Sequence, residues 1–322
     1  MAPTFLVVGA TGNTGRSTVA TLSQILKQEG SNSPFAGHRI LALTRSAQGA
    51  AAKHLATLPG VEVLEFNWAT VTEAWLRDHE VVRAFVASAV DPAQFSVESA
   101  FLLAALRAGV EYVVRISTTA GNVRPDCDAY YARTHWAIEA MLSTPAFEPL
   151  KWTSLQPNAF STLAFFTAGM FVKKYRETGG KQDEPLRLIA DPDAPIGIID
   201  ADDIGPIAAR LLLHADPAAH ERRRYAVNGP EDVTGRQMVA MVERAIGAPV
   251  RAVSYKDMSY VEGMAAAADE GHRTLILSIR HAMEVLWRGE AAASTTSREV
   301  LEVAAPRTTP GASWEKVLKS LD

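Results

Sequence analysis

Three glycines spaced three apart, Gly9-Ala10-Thr11-Gly12-Asn13-Thr14-Gly15, follow the apolar run Phe5 to Val8 and precede Val19, Leu22, Ile25 and Leu26, which stand at helical spacing. In a strand-to-helix turn each glycine has its own use. Gly9 permits the tight turn, Gly12 lets backbone approach a pyrophosphate, and Gly15 lets the helix pack on the sheet. The helix N-terminus adds free N–H groups and the positive end of a dipole. The chemistry implied is dinucleotide binding, with Thr11, Asn13 and Thr14 completing the loop. The next strand ends Leu43-Thr44-Arg45-Ser46, with no acid to accept from a ribose 2′-hydroxyl. A guanidinium at Arg45 forks onto a 2′-phosphate, so the expected cofactor is NADPH/NADP. Asn67 is expected to meet the adenine, Ser88 to line the cofactor, and Asn158 to stand at the rim where nicotinamide and substrate meet.

A second group of residues suits reduction. Ser117 and Thr118 end a strand, Tyr131 follows Thr118 by thirteen residues, and His135 stands four beyond Tyr131. Positions i and i+4 share a helix face, so phenol and imidazole are both available to one cleft. Carbonyl reduction needs a proton donor and a hydroxyl that orients the oxygen. Thr118 is expected to orient, Ser117 to touch substrate, and either Tyr131 or His135 to give the proton. Phe160, Phe165, Phe166, Met170 and Phe171 offer an apolar floor for a planar substrate, with Phe160 nearest the rim. No metal is expected, since His214 and His220 lack ligand spacing, and no G-x-S-x-G elbow supports a hydrolase.

The elements that must position these residues alternate. Strands are read at 38–44, 61–66, 81–89, 110–116 and 152–156, with helices at 17–27, 72–78, 97–108 and 128–142. Strands separated by helices imply right-handed crossovers and a parallel sheet covered on both faces. The fold class is therefore α/β, a Rossmann doubly wound parallel sheet with a smaller helix-rich C-terminal substrate lobe. The NADP-binding domain is placed at 1–158, with strands returning near 195–200 and 224–229, and the substrate lobe mainly at 159–322. Beyond 157 the reading gives a helix over 160–175, helices at 203–214 and 235–246, and an Ala-rich helical remainder.

The 322 residues carry 32 Lys and Arg against 36 Asp and Glu, a net charge of −4, which argues against a nucleic-acid scaffold. One cysteine, Cys127, permits no disulfide within the chain. With no leader-like or membrane-length apolar segment read, a cytoplasmic setting is expected, with a small-molecule substrate as partner, neither nucleic acid nor membrane bound, and self-association open.

The glycine loop, Arg45, the stretch Pro195 to Gly205, and Tyr225 to Pro230 followed by a helix stopping at Ile246-Gly247 together resemble the NmrA-like family, atypical short-chain dehydrogenase/reductase proteins. The likeness runs to about Tyr255 and is strongest at the glycine loop. It implies an NADP-binding Rossmann domain with a small C-terminal substrate lobe, and a family holding both reductases and redox-sensing regulators. Tyr131 to His135 reads Tyr-x-x-x-His where the short-chain pattern has Tyr-x-x-x-Lys, so the cation that favours a tyrosinate is replaced. Thr134-His135 with Glu139 resembles the Thr-His-x-x-x-Glu element of NmrA-like quinone reductases, in which hydride passes without a dedicated tyrosine acid. The expected activity is an NADPH-dependent reductase acting on an apolar carbonyl, enone or quinone, of aromatic or polyketide type. The alternative is a non-catalytic NADP(H)-sensing regulator.

Overall fold

The computed structural model describes residues 2–321. Its nine strands are β1 (Thr4–Val8), β2 (Arg39–Thr44), β3 (Val61–Glu65), β4 (Val81–Val86), β5 (Tyr112–Ile116), β6 (Lys151–Pro157), β7 (Leu186–Leu188), β8 (Arg223–Val227) and β9 (Val253–Tyr255). Seven form one sheet in the order β3-β2-β1-β4-β5-β6-β8, every pairing parallel. Parallel strands buried on both faces read as unbroken apolar runs, and β1 is buried at all five residues. Its side chains alternate between two cores. Phe5 and Val7 pack under the helices Asn13–Glu29 and Ile204–Leu212, while Leu6 and Val8 face Phe101 and Leu102 of the helix Gln94–Ala108 and Ile138 of the helix Tyr130–Leu142. The strand order reverses between β1 and β4, which opens a crevice at their carboxyl ends.

A third core lies under the C-terminal part. It joins Phe165, Ala168 and Val172 to β7, to Met238 and Val242 of the helix Gly235–Ile246, to Met283 and Leu286 of the helix Glu270–Trp287, and to Trp314. The chain passes back to the sheet between these pieces. Ile199, Ile204, Ile207, Tyr225, Val227 and Val300 all belong to the first core. The acids near 200 hold the tail: Asp203 accepts from the Arg307 and Thr308 N–H groups, and Lys316 bridges Asp200 and Asp202. Among the described residues no helix is long and apolar enough to cross a membrane.

Three readings of the chain need correction. The expected strand at 195–200 makes only single bridges, Phe160 to Ile199 and Ile196 to Val233. Pro195 lacks a donor, and a Cβ at Gly197 would fall 2.8 Å from both the Ala293 nitrogen and the Asn228 Cβ, so the segment is wedged between loops rather than aligned with a neighbour. The expected helix over 160–175 is two, Ser161–Ala164 and Phe166–Glu177, parted at Phe165, whose ring is buried 5.6 Å from Trp314. The pair β7 and β9 was not foreseen, each being three residues long and far apart in the chain.

Candidate functional site

The glycine loop closes the crevice at the end of β1. Gly9 takes φ +74°, and a Cβ there would lie 2.5 Å from the Ala87 carbonyl oxygen. A Cβ at Gly15 would sit 2.1 Å from the Gly9 oxygen, so the first turn of the helix rests directly on the loop. Gly12 is the extended N-cap of that helix, supplies no side-chain cap, and is followed by a first turn without an acid. The N–H groups there lack a side-chain acceptor, which is what an anion site at a helix N-terminus requires.

From this loop a cleft of about 690 Å³ runs across the sheet. Gly9, Thr11, Gly12, Asn13 and Thr14 line it on one side, Arg45 and Thr44 close one end, and Ser88, Ile116 and Phe160 lie toward the other. The Thr11 and Thr44 hydroxyls are 3.1 Å apart, tying the glycine loop to β2. Arg45 is exposed, and among the described residues no ion pair or hydrogen bond is recorded for its side chain. The residues fit a 2′-phosphorylated dinucleotide: a steric cradle at the loop, an unmatched helix start, and an exposed guanidinium at the end of β2, suited to a phosphate.

Gly15, Asn67 and Asn158 are not brought to the lining. Gly15 acts one layer behind, as described. The Asn67 side chain accepts from the Ala69 N–H and starts the turn Trp68–Thr70, while its neighbours Phe66 and Trp68 line the cleft. Asn158 is buried, its amide donating to the Gly197 and Ala291 carbonyls and its oxygen accepting from Ala159, so it fastens the C-terminal part to β6.

Thr118 lies two residues beyond Ile116 of the cleft, after the end of β5, with its side chain near the Tyr131 phenol. Burial pushes the Tyr131 phenol up to about 12, with the Thr118 side chain opposing the shift. Ser117 is buried and its hydroxyl has no partner. His135 lies behind the wall rather than on it. Its ring is 6.5 Å from that of Tyr131 and perpendicular to it, and its Nδ1 is 2.8 Å from an Arg115 nitrogen. Burial first, and the Arg115 charge second, hold its pKa well below the ordinary histidine value. It is neutral near pH 7 and places no cation beside the phenol.

Arg115 was not foreseen, and neither were its partner Glu98 and the cleft residue Gln94. Arg115 is fully buried in β5, 2.6 Å from Glu98 and 3.4 Å from Glu139, and donates to Ser154. Glu139 also receives Ser154, Gln156 and Arg224. Ser88 donates to Glu98, and Gln94 reaches both Ser88 and His135. Two buried carboxylates thus face two guanidiniums, and the chain of polar groups ends at Ser88 and Gln94 on the cleft. The signal available was one arginine inside an otherwise apolar central strand.

The aromatic stripe divides. Phe160 reaches the cleft and Phe165 enters the core. Phe166, Met170 and Phe171 line a separate cavity of about 680 Å³ with Tyr260, whose ring is 4.7 Å from Phe166.

Comparison with known proteins gives consistent likenesses. An NAD(P)H azoreductase of Xenophilus azovorans is 30% identical over 174 residues, 54% of each chain. A (4-alkanoyl-5-oxo-2,5-dihydrofuran-3-yl)methyl phosphate reductase of Streptomyces griseus subsp. griseus is 28% identical over 148 residues, 46% of each. The match thus spans about half the length of these curated relatives. Among solved structures, the NADPH complex of an Escherichia coli NADPH-dependent quinone oxidoreductase superposes with TM-score 0.70 at 20% identity, covering 99% of this chain and 100% of that one. The negative transcriptional regulator NmrA in complex with NADP gives 0.63 at 17%, covering 99% and 91%. At such identities these two share the fold. The model of the NmrA-like family matches residues 1–285.

Proposed function

Since the chain belongs to the NmrA-like family, we propose that it is an NADPH-dependent reductase that passes hydride to an apolar acceptor, a quinone or a conjugated carbonyl. The observation that carries this reading is the unpaired Arg45 at the end of β2, at one end of a cleft whose other end approaches the Thr118–Tyr131 pair. The azoreductase, quinone oxidoreductase and furanone phosphate reductase likenesses support it.

Bound NADPH supplies the hydride. The protein does the rest by placement. Arg45 takes the 2′-phosphate, and the helix N-terminus after Gly12 takes the pyrophosphate. Thr118 holds the Tyr131 hydroxyl, which keeps its proton through neutral pH and donates a hydrogen bond to the acceptor oxygen as charge builds there. With no cation alongside, this phenol is a weak acid. That favours an acceptor whose reduced oxygen is itself phenol-like and needs no strong acid, which is a quinone rather than an aliphatic ketone.

A second reading has one observation in its favour. The same absence of a cation beside Tyr131 suits a protein that binds NADP(H) as a signal and turns nothing over, as the likeness to a transcriptional regulator also allows. Mixing the protein with NADPH and a panel of naphthoquinones, benzoquinones and aryl ketones, and following nicotinamide absorbance, separates the two. Quinone-dependent loss is expected. Tight NADPH binding without loss for any acceptor would select the sensor.

A further inference from the structure

The helix Phe166–Glu177 buries one face and leaves the other largely uncovered. Ala168 and Val172 enter the C-terminal core, while Phe166, Met170 and Lys174, four apart in sequence, share a different face. An uncovered helix face ordinarily carries polar groups. This one begins with an aromatic ring and a thioether, and Met170 is 42% exposed. Tyr260, on the helix Ser259–Ala267, stands beside Phe166 with the rings 4.7 Å apart and 36° from parallel. The two rings and Met170 form the apolar floor of the cavity of about 680 Å³. Its wall is the chain that returns from the helix to β7. Gly179 and Gly180 take φ +67° and +96°, which glycine adopts freely, and turn the chain back on itself. Gln182 pins the return, its amide donating to the Pro249 carbonyl and its oxygen accepting from the Arg251 N–H. The cavity is therefore walled by bonded segments, and no residue lines both it and the dinucleotide cleft.

Volume and charge limit what this cavity takes. Its size suits a molecule of several rings. Lys174 is matched by Glu184 at 2.8 Å, and Arg187 lies 3.6 Å from Asp257. That leaves Lys173 and Lys181 in the lining against Glu177 and Asp183, so the charges cancel. No net cation selects an acid there, and no net anion selects an amine. A flat aromatic surface inside a balanced rim favours an uncharged planar ligand, which gains by stacking and by taking Met170 and the rings out of water. We propose that this cavity is a second binding site, distinct from the dinucleotide cleft, for an uncharged planar aromatic molecule held against Phe166, Met170 and Tyr260.

Titration with 2-naphthol, followed by calorimetry in protein saturated with NADP⁺, tests this. The probe is expected to bind once per chain and not to be displaced by the dinucleotide. Phe166→Ala should weaken it about threefold to tenfold, the worth of one aromatic contact. Met170→Glu sets a carboxylate in the floor at an exposed position, and should weaken the probe at least as much while NADP⁺ affinity and the thermal midpoint hold. 2-Naphthalenesulfonate and 2-naphthylmethylamine should bind no more tightly than 2-naphthol. Absence of saturable binding, displacement by NADP⁺, or unchanged binding in both variants would overturn the site. An advantage of about tenfold for either charged probe would overturn the uncharged class of ligand.

Discussion

On the proposed reading, Arg45 and Tyr131 divide the work at the scale of single residues. Arg45 is exposed and without a recorded partner, so its loss removes a charge-assisted phosphate bond and little else. Arg45→Ala should weaken NADPH about 10- to 100-fold and NADH hardly at all, as read by fluorescence titration; equal losses would place the 2′-phosphate elsewhere. Tyr131→Phe removes a donor to a developing oxyanion, and turnover with a quinone should fall about 100-fold while NADPH affinity holds. The phenol donates only while protonated, and burial raises its pKa to about 12. Its activity contribution is therefore flat through neutral pH and is lost only as pH rises toward that value. An alkaline limb in kcat near pH 8 that vanishes in Tyr131→Phe would contradict this environment. The positions of Arg45 and Tyr131, at the end of a strand and the start of a helix, were legible in the sequence because local spacing places them. Gln94 was not, since its place in the buried network comes from Ser88 and from His135, 41 residues away.

Elements explain why some positions were readable and others not. The glycine loop imposes backbone requirements within seven residues, so Gly9, Gly12 and Gly15 announce themselves. The buried network is built from β5, β6, β8 and the helices Gln94–Ala108 and Tyr130–Leu142, and its charges balance only when all five meet. No single segment shows that balance, and Glu98 looks like any polar helix residue. Removing Arg115 leaves Glu98 buried without a cation, while Glu139 keeps Arg224. Arg115→Leu should destabilise the fold by about 3–5 kcal/mol in urea unfolding, a far larger effect than any surface ion pair, and a change under 1 kcal/mol would mean the network is hydrated. The two halves of the 160–175 helical pattern failed to join for a similar reason. Periodicity sees a continuous apolar face, whereas the Phe165 ring is claimed by Trp314, 149 residues on.

At the scale of the whole molecule, the sheet and the C-terminal core meet around the cleft, and one contact spans them at its rim. His272, near the start of the helix Glu270–Trp287, lies 2.8 Å from Asp269 and 3.4 Å from Asp91 of the cleft lining. Asp269 first, and Asp91 second, raise its pKa above the ordinary value. A raised histidine pKa gives a contact present in full below about 6.5 and lost as pH rises through the folded value. Hydrogen exchange over residues 89–94 should accordingly quicken as pH rises through that range beyond the intrinsic base catalysis, and His272→Phe should remove the excess. An excess that persists in the variant would assign it to another group. Hydride transfer by the assembled molecule is tested most directly by single turnover of a naphthoquinone with NADPH deuterated at either epimeric position of the nicotinamide C4, followed by mass measurement of the NADP⁺ formed. A cleft that holds the ring in one orientation should yield NADP⁺ that keeps all the label from one epimer and none from the other; scrambled label, or bound NADPH that is never oxidised, would contradict it.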